Sequence, residues 1–222
     1  MFAPSDFLDL QHCAHSDLFA DCTYVWDALK KLNSYFNGHS FDRSGSFTRV
    51  GNPYIDSNVI IGDDTLIEDG AMILGPAIIG SHCHIRHGAY IRDHVLIGNS
   101  CVIGNACEVK HSILLDGCEV PHFNYVGDSI LGVKAHLGAG AKISNAKLDQ
   151  KGIRIKAQGR EIETGLKKFG AIIGDYAQIG CNAVLNPGSL IGRSSRIYPC
   201  VSWRGFLPPE KIAKENQIFD LI

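Results

Sequence analysis

Between residues 55 and 203 one aliphatic residue recurs at every sixth position. It stands at 55, 61, 67, 73, 79, 85, 91, 97, 103, 109 and 115, resumes with Leu131, Leu137 and Ile143, and resumes again with Ile173, Ile179, Leu185, Ile191 and Ile197. The next position is often glycine, as at Gly62, Gly80, Gly98, Gly104 and Gly138, and the residue four beyond the aliphatic is small, as at Thr65, Ala71, Cys83 and Cys101. A period of six fits neither an amphipathic helix nor one alternating strand. It predicts an all-β solenoid, a parallel β-helix in which each hexad supplies a short strand and a corner. Three hexads close one triangular rung, with the aliphatic and the small residue both pointing inward. Glycine at the bend is expected because it takes positive φ at little cost. About seven rungs, stacked at the strand spacing of ~4.8 Å, would make a prism roughly 33 Å long.

The ends lack this period. Residues 1–46 predict a small helical cap. Thr23 would start a helix whose apolar face is Val25, Ala28, Leu29, Leu32 and Phe36, with Gly38 closing it, and a shorter helix would begin near Ser5 or Ser16. The cap is expected to cover the open end of the solenoid. Pro208-Pro209-Glu210 predicts a short helical tail. The chain thus divides into a cap (1–46), the solenoid (47–205) and a C-terminal tail (206–222).

Two segments interrupt the period, and an interruption in a repeat marks a requirement other than packing. The first is Pro121-His122-Phe123-Asn124-Tyr125-Val126-Gly127-Asp128. The second spans about 146–170 and is basic, with Lys147, Lys151, Arg154, Lys156, Arg160, Lys167 and Lys168 against Asp149, Glu161 and Glu163. Its stretch 152–162 reads as a hairpin turning near Gln158-Gly159. Such an arm suits phosphates, solvent or a neighbouring subunit.

Charge and cysteine usage narrow the picture. The 222 residues carry a formal net charge of −2, which argues against nucleic acid as a partner. No apolar run reaches membrane-spanning length, and Met1-Phe2-Ala3-Pro4-Ser5-Asp6 lacks a secretory signal, so a cytoplasmic location is expected. Eight cysteines form no C-x-x-C pair, which predicts reduced thiols and no structural zinc. Cys83, Cys101 and Cys107 fall at the small inward position and read as core filler.

Glu108-Val109-Lys110, the segment 121–128, Leu137-Gly138-Ala139-Gly140 and Asn145 together resemble the acetyltransferase half of bifunctional bacterial N-acetylglucosamine-1-phosphate uridyltransferases. They also resemble the C-terminal solenoid of sugar-1-phosphate nucleotidyltransferase-like proteins. The resemblance spans about residues 50–205 and implies a left-handed solenoid and a homotrimer with acyl sites between chains. It implies transfer of an acetyl group from acetyl-CoA to the amine of an amino-sugar-1-phosphate, of the glucosamine-1-phosphate type, feeding UDP-N-acetylglucosamine synthesis. Carried over residue by residue, His122 is the general base. Arg92 and Lys110 bind phosphate, Tyr125 contacts the sugar phosphate, and Asn145 lies beside the acetyl group. Ala139 and Cys181 contact acetyl-CoA. No metal is required for the transfer step.

Some positions depart from that pattern: His136 stands where the family has asparagine, and Ala146 where it has an aromatic residue. The first 46 residues are too short for a pyrophosphorylase half, so the chain by itself is not expected to make a sugar nucleotide. Two other readings stay open. One is a non-catalytic solenoid acting as partner of a separate nucleotidyltransferase. The other is a zinc hydratase, for which His87 and His122 have the right long spacing but residues 126–128 supply no third ligand.

Overall fold

The computed structural model describes residues 1–38, 40–41, 44–157, 159–215 and 217–220. The hexads form three parallel sheets that wrap one interior, a parallel β-solenoid. Face A includes His84–Ile85, Val102–Asn105, Glu119–His122, His136–Leu137 and Gln178–Ile179. Face B includes Tyr90–Ile91, Glu108–Lys110, Tyr125–Gly127 and Lys142–Ile143. Face C includes Val95–Ile97, Ser112–Leu114, Ile130–Leu131 and Ala171–Ile173. Among the described residues, faces B and C hold eight strands each and face A ten, the last two antiparallel. The solenoid therefore has eight full rungs and the start of a ninth, more than the seven expected. Pro208-Pro209 does not begin a helix. Lys211–Lys214 joins face A beside Arg196–Ile197 and folds back onto Gln217–Asp220.

The aliphatic ladder fills the interior from Ile61 to Ile197, and Ile55 packs half-buried against its first rungs. Leu115 is the exception. Leu114, not Leu115, pairs with Ile97 and points inward, and Val120 and Val126 continue its register against Ile103 and Val109. Residues 121–126 therefore keep the repeat, and within the segment only Gly127 and Asp128 belong to an irregular corner. Before the inserted arm the irregularities are two corners, each one residue short, between Val109 and Leu114 and between Val126 and Leu131. They place His111 and Asp128 in the left-handed region, at φ 43° and 50°.

Glycine after the inward aliphatic has a different cause from the one expected. Gly98 and Gly104 do not have positive φ; they sit where the next rung passes closest. A Cβ on Gly98 would lie 2.8 Å from the Asp116 amide nitrogen, and one on Gly104 would lie 1.5 Å from the Pro121 carbonyl oxygen. The left-handed corner positions are held by varied residues instead, among them His82, Ser100, Phe123 and Asn182. All eight cysteines are free thiols. Buried Cys83, Cys101, Cys107 and Cys118 donate Sγ–H to carbonyls of the following rung: Gly98 (3.1 Å), Leu115 (3.2 Å), Val120 (3.1 Å) and Gly132 (2.9 Å). The small inward slot thus holds a weak donor as well as volume.

The N-terminal residues form Pro4–Phe7, a 3₁₀ turn at Ser16–Phe19 and the helix Asp27–Asn37. Thr23 does not cap that helix; Trp26 precedes it, and the Asp27 carboxylate accepts the Tyr24 amide at 2.8 Å. These segments do not close an end of the solenoid. They lie along face C, whose outward residues Ile78, Leu96, Ile113, Ile130, Ile172 and Leu190 form an apolar stripe under Phe7, Trp26, Leu29, Leu32 and Phe36. Burying an apolar side chain of this size contributes about 1.5–3 kcal/mol, which is why the stripe needs a cover. Leu115 joins the same cluster. The buried carboxylate of Asp175 pins the cap in place, accepting the Asp9 amide at 2.6 Å and the Val133 amide at 2.8 Å. Among the described residues no helix is long and apolar enough to cross a membrane.

Candidate active site

The repeat sets each candidate residue by its offset from an inward aliphatic. His122, Ala139 and Cys181 stand two positions after Val120, Leu137 and Ile179. They stack at the same A–B corner position on three successive rungs. Asn105 pairs with His122 on the rung below, and the His122 carbonyl accepts the Gly140 amide above at 2.9 Å. His122 is exposed, and among the described residues its ring makes no hydrogen bond. Its loop is held from beneath by Asn124, which is 3% exposed. The Asn124 Oδ1 accepts the His122 amide at 3.0 Å, while Nδ2 donates to the Gly138 and Ala141 carbonyls at 2.8 and 3.1 Å. Asn124 occupies the slot that Cys107 and Ala141 fill on adjacent rungs. An amide in an otherwise apolar ladder was the legible sign of its role.

Arg92 and Lys110 stand one position after Ile91 and Val109, so they share the opposite, B–C edge. Both meet carboxylates of their own chain. Arg92 Nη1 lies 2.9 Å from Glu108 Oε1, and Lys110 Nζ lies 3.6 Å from Asp128 Oδ2. Tyr125 lies on face B between the two edges. Gly127 leaves room for its hydroxyl, which accepts the Asn145 amide at 3.3 Å; a Cβ on Gly127 would lie 2.7 Å from both groups. Asn145 Nδ2 also donates to Asp128 Oδ2.

Asp128 organises this edge. It is buried, with His111 Nδ1 at 3.1 Å from Oδ1 and Lys110 and Asn145 at Oδ2. Burial would raise its carboxyl pKa, but the close contact with the His111 ring, the Asn145 hydrogen bond and the Lys110 charge more than offset that, and it is held below the ordinary range. Burial, with Glu108 and Asp128 nearby, pushes the Tyr125 hydroxyl up. A ring contact extends the network to the cap: His111 lies beside His94 (6.2 Å between centroids), and His94 beside Phe36 (5.7 Å). The shortened corners juxtapose Asp128 and His111, and an unbroken period of six would not have.

The candidates therefore form two groups. His122, Ala139 and Cys181 line one edge of face B, and Arg92, Lys110 and Asn145 the other. Lys110 pairs with Gly127, five residues past His122, so the backbone separation, the step between strands included, is at most ~22 Å. Adjacent rungs do not by themselves bring Lys110 to the imidazole. His87 shares the A–B edge with His122, but its Nδ1 is bonded to the Asp69 carbonyl at 2.7 Å. Among the described residues no three potential metal ligands converge.

The fold is a hexapeptide-repeat β-solenoid, and the segment that carries most of the candidate residues is similar to acetyltransferase domains built on such a repeat. The particular resemblance is to the C-terminal part of the bifunctional sugar-1-phosphate nucleotidyltransferases. Residues 73–165 match the family described as the GMPPB C-terminal domain. Over 92 residues the chain is 40% identical to the bifunctional sugar-1-phosphate nucleotidylyltransferase/acetyltransferase of Sulfurisphaera tokodaii, a match covering 41% of this chain and 23% of that protein. It is 37% identical over 90 residues to the bifunctional protein GlmU of Methanococcus maripaludis, covering 40% of this chain and 22% of the relative. The matched segment thus spans less than a quarter of either relative. Among solved structures, UDP-N-acetylglucosamine acyltransferase from Campylobacter jejuni superposes with a TM-score of 0.47 at 16% identity, over 79% of this chain and 67% of that one.

Proposed function

We propose that the protein transfers an acetyl group from acetyl-CoA to the amine of an amino-sugar phosphate, of the glucosamine-1-phosphate type, with His122 as general base. The observation that carries this reading is the alignment of an exposed, uncommitted imidazole with Ala139 and Cys181 on one edge, across a single face from Arg92 and Lys110. A long cation reaching inward from one edge and an imidazole from the other leave a gap suited to one sugar phosphate. The phosphate rests on Arg92 and Lys110, the ring lies over Tyr125, and the amine meets His122. The imidazole takes the amine proton as nitrogen attacks the thioester carbonyl. The carbon–sulfur bond then breaks, and the leaving thiolate takes that proton back from the imidazolium. Arg92 keeps unused guanidinium N–H donors for phosphate beside its bond to Glu108.

The Asn145 amide is committed to Asp128 and Tyr125, so in its own chain it holds the phosphate edge. It comes beside an acetyl group where the B–C edge of one chain meets the A–B edge of a neighbour. A cyclic trimer, which brings prism edges together, meets that need. Light scattering at micromolar concentration should then report three chains.

The deciding experiment incubates the pure protein with acetyl-CoA and glucosamine-1-phosphate and follows the acetylated sugar by mass. That readout is preferable to thiol release, because exposed Cys181 and Cys200 would react with a thiol reagent. Turnover lost in His122→Ala supports the reading; a parent that acetylates no amino-sugar phosphate overturns it. One observation favours the non-catalytic alternative: Glu108 and Asp128 already neutralise both candidate phosphate cations. In that case the chain would stimulate a separate sugar-1-phosphate nucleotidyltransferase without releasing CoA.

A further inference from the structure

The inserted arm builds a cavity that the acyl-transfer reading does not use. Arg154–Ala157 and Arg160–Glu163 pair as an antiparallel hairpin; the expected turn at Gln158 lies outside the described residues. The hairpin does not project from the solenoid. Ile153 and Ile155 are buried against it, and Gly188 permits the approach: it has φ +77°, and a Cβ there would lie 2.9 Å from Ile153 Cγ2. Buried Thr164 locks the arm's base, donating Oγ1–H to the Ile153 carbonyl at 2.6 Å. Between hairpin and solenoid lies a cavity of about 600 Å³. Its lining includes the cations Lys147, Lys151, Arg154, Lys156, Lys167 and Arg204, with Glu161 and Glu163 as its carboxylates among the described residues. Arg154 and Lys156 are paired with those glutamates, and Lys147 with Asp149. Lys151, Lys167 and Arg204 form no ion pair among the described residues. They come from the arm's entry, its exit and a solenoid corner, so they face one space from three sides. The remaining wall is apolar or bare backbone, at Ile153, Leu166, Pro187 and Gly188.

The geometry points to this cavity as a binding site for a diphosphate-bearing ligand. Three uncommitted cations match a multiply charged anion, and the apolar wall accepts the organic body attached to it. The volume falls within the ~300–1,000 Å³ usual for small-molecule sites. Two ligands share this chemistry, a nucleoside diphosphate and coenzyme A. The site goes beyond the acyl-transfer reading and stands without it, because binding is measured in the absence of turnover.

Calorimetry on the full chain, with UDP, coenzyme A, inorganic pyrophosphate and inorganic phosphate as separate probes, tests it. Pyrophosphate should bind more tightly than phosphate, and affinity should fall as salt rises. The triple variant Lys151→Ala/Lys167→Ala/Arg204→Ala should lose on the order of tenfold or more in affinity, since charge-assisted contacts to phosphate are the strong ones. Its melting temperature should stay near the parent's, because exposed charges contribute little to stability. Lys134→Ala, on a solenoid corner away from the arm, should bind as the parent does. Tighter binding of UDP assigns the site to a nucleotide-linked substrate, and tighter binding of coenzyme A assigns it to the acyl donor. Equal affinity for phosphate and pyrophosphate, binding unchanged in the triple variant, or no binding of either diphosphate below millimolar concentration would overturn the proposal.

Discussion

Asn145 donates its side-chain amide to the buried carboxylate of Asp128, 17 residues earlier and one rung below. This bond joins the root of the inserted arm to the edge that carries Lys110. Any substrate phosphate bound there would rest on a cation whose position is set by a carboxylate.

Asp128→Ala should therefore destabilise the fold by about 2–4 kcal/mol, because Lys110 and Asn145 would keep their burial and lose their partner. Asp128→Asn should recover part of this. The pH dependence has a definite sign. The folded carboxyl titrates below its unfolded value, so its contribution is complete above about pH 4 and is lost as pH falls through the folded value. Urea titrations at pH 7 and pH 3.5 should show the gap between parent and Asp128→Asn narrowing in acid.

His122→Ala should lower kcat by on the order of 10²–10⁴, the usual share of general-base catalysis, with little change in melting temperature. The ring is exposed and the structure does not lean on it. Asn124→Ala should do the reverse. It removes the partner of the His122 amide and the Asn124 bonds to the Gly138 and Ala141 carbonyls, and should cost about 1–3 kcal/mol in chemical denaturation.

Gly104→Ala should be among the costliest single-methyl insertions in the chain. Its Cβ would fall 1.5 Å from the Pro121 carbonyl oxygen, on the strand that ends in His122. Overpacking of this kind costs about 1–3 kcal/mol or more. Gly88→Ala, with φ +70° but no atom nearer than 3.2 Å, should cost only about 1 kcal/mol. Thermal denaturation of the two variants distinguishes a contact limit from a dihedral one.

Leu96→Ala should destabilise by about 2–5 kcal/mol although Leu96 lies outside the inward ladder, because the cap buries it completely. A loss below about 0.5 kcal/mol, by urea unfolding, would mean that the cap does not pack on face C in solution.

The sequence alone determined the solenoid, its inward aliphatic ladder and the cysteine filler, because position inside a repeat is arithmetic. Once a rung has a fixed length, each offset from the aliphatic has one direction. The apolar stripe on face C was also legible, as doublets such as Ile78-Ile79, Leu96-Ile97 and Leu190-Ile191, yet only the folded cap gave it a purpose. Tertiary structure decided the rest. In Ser112-Ile113-Leu114-Leu115 three apolar residues in a row leave the register open, and a one-residue slip turns a side chain from core to surface. Only pairing with Ile97 selects Leu114. Glycine after the aliphatic suggested a positive-φ bend in sequence, and only the proximity of the next rung in the folded chain supplies its actual cause. Arg92 and Lys110 looked like open phosphate ligands because their offsets say nothing about neighbours. Their carboxylate partners, Glu108 and Asp128, come from the adjacent rung, and contact between rungs exists only once the chain has wound upon itself.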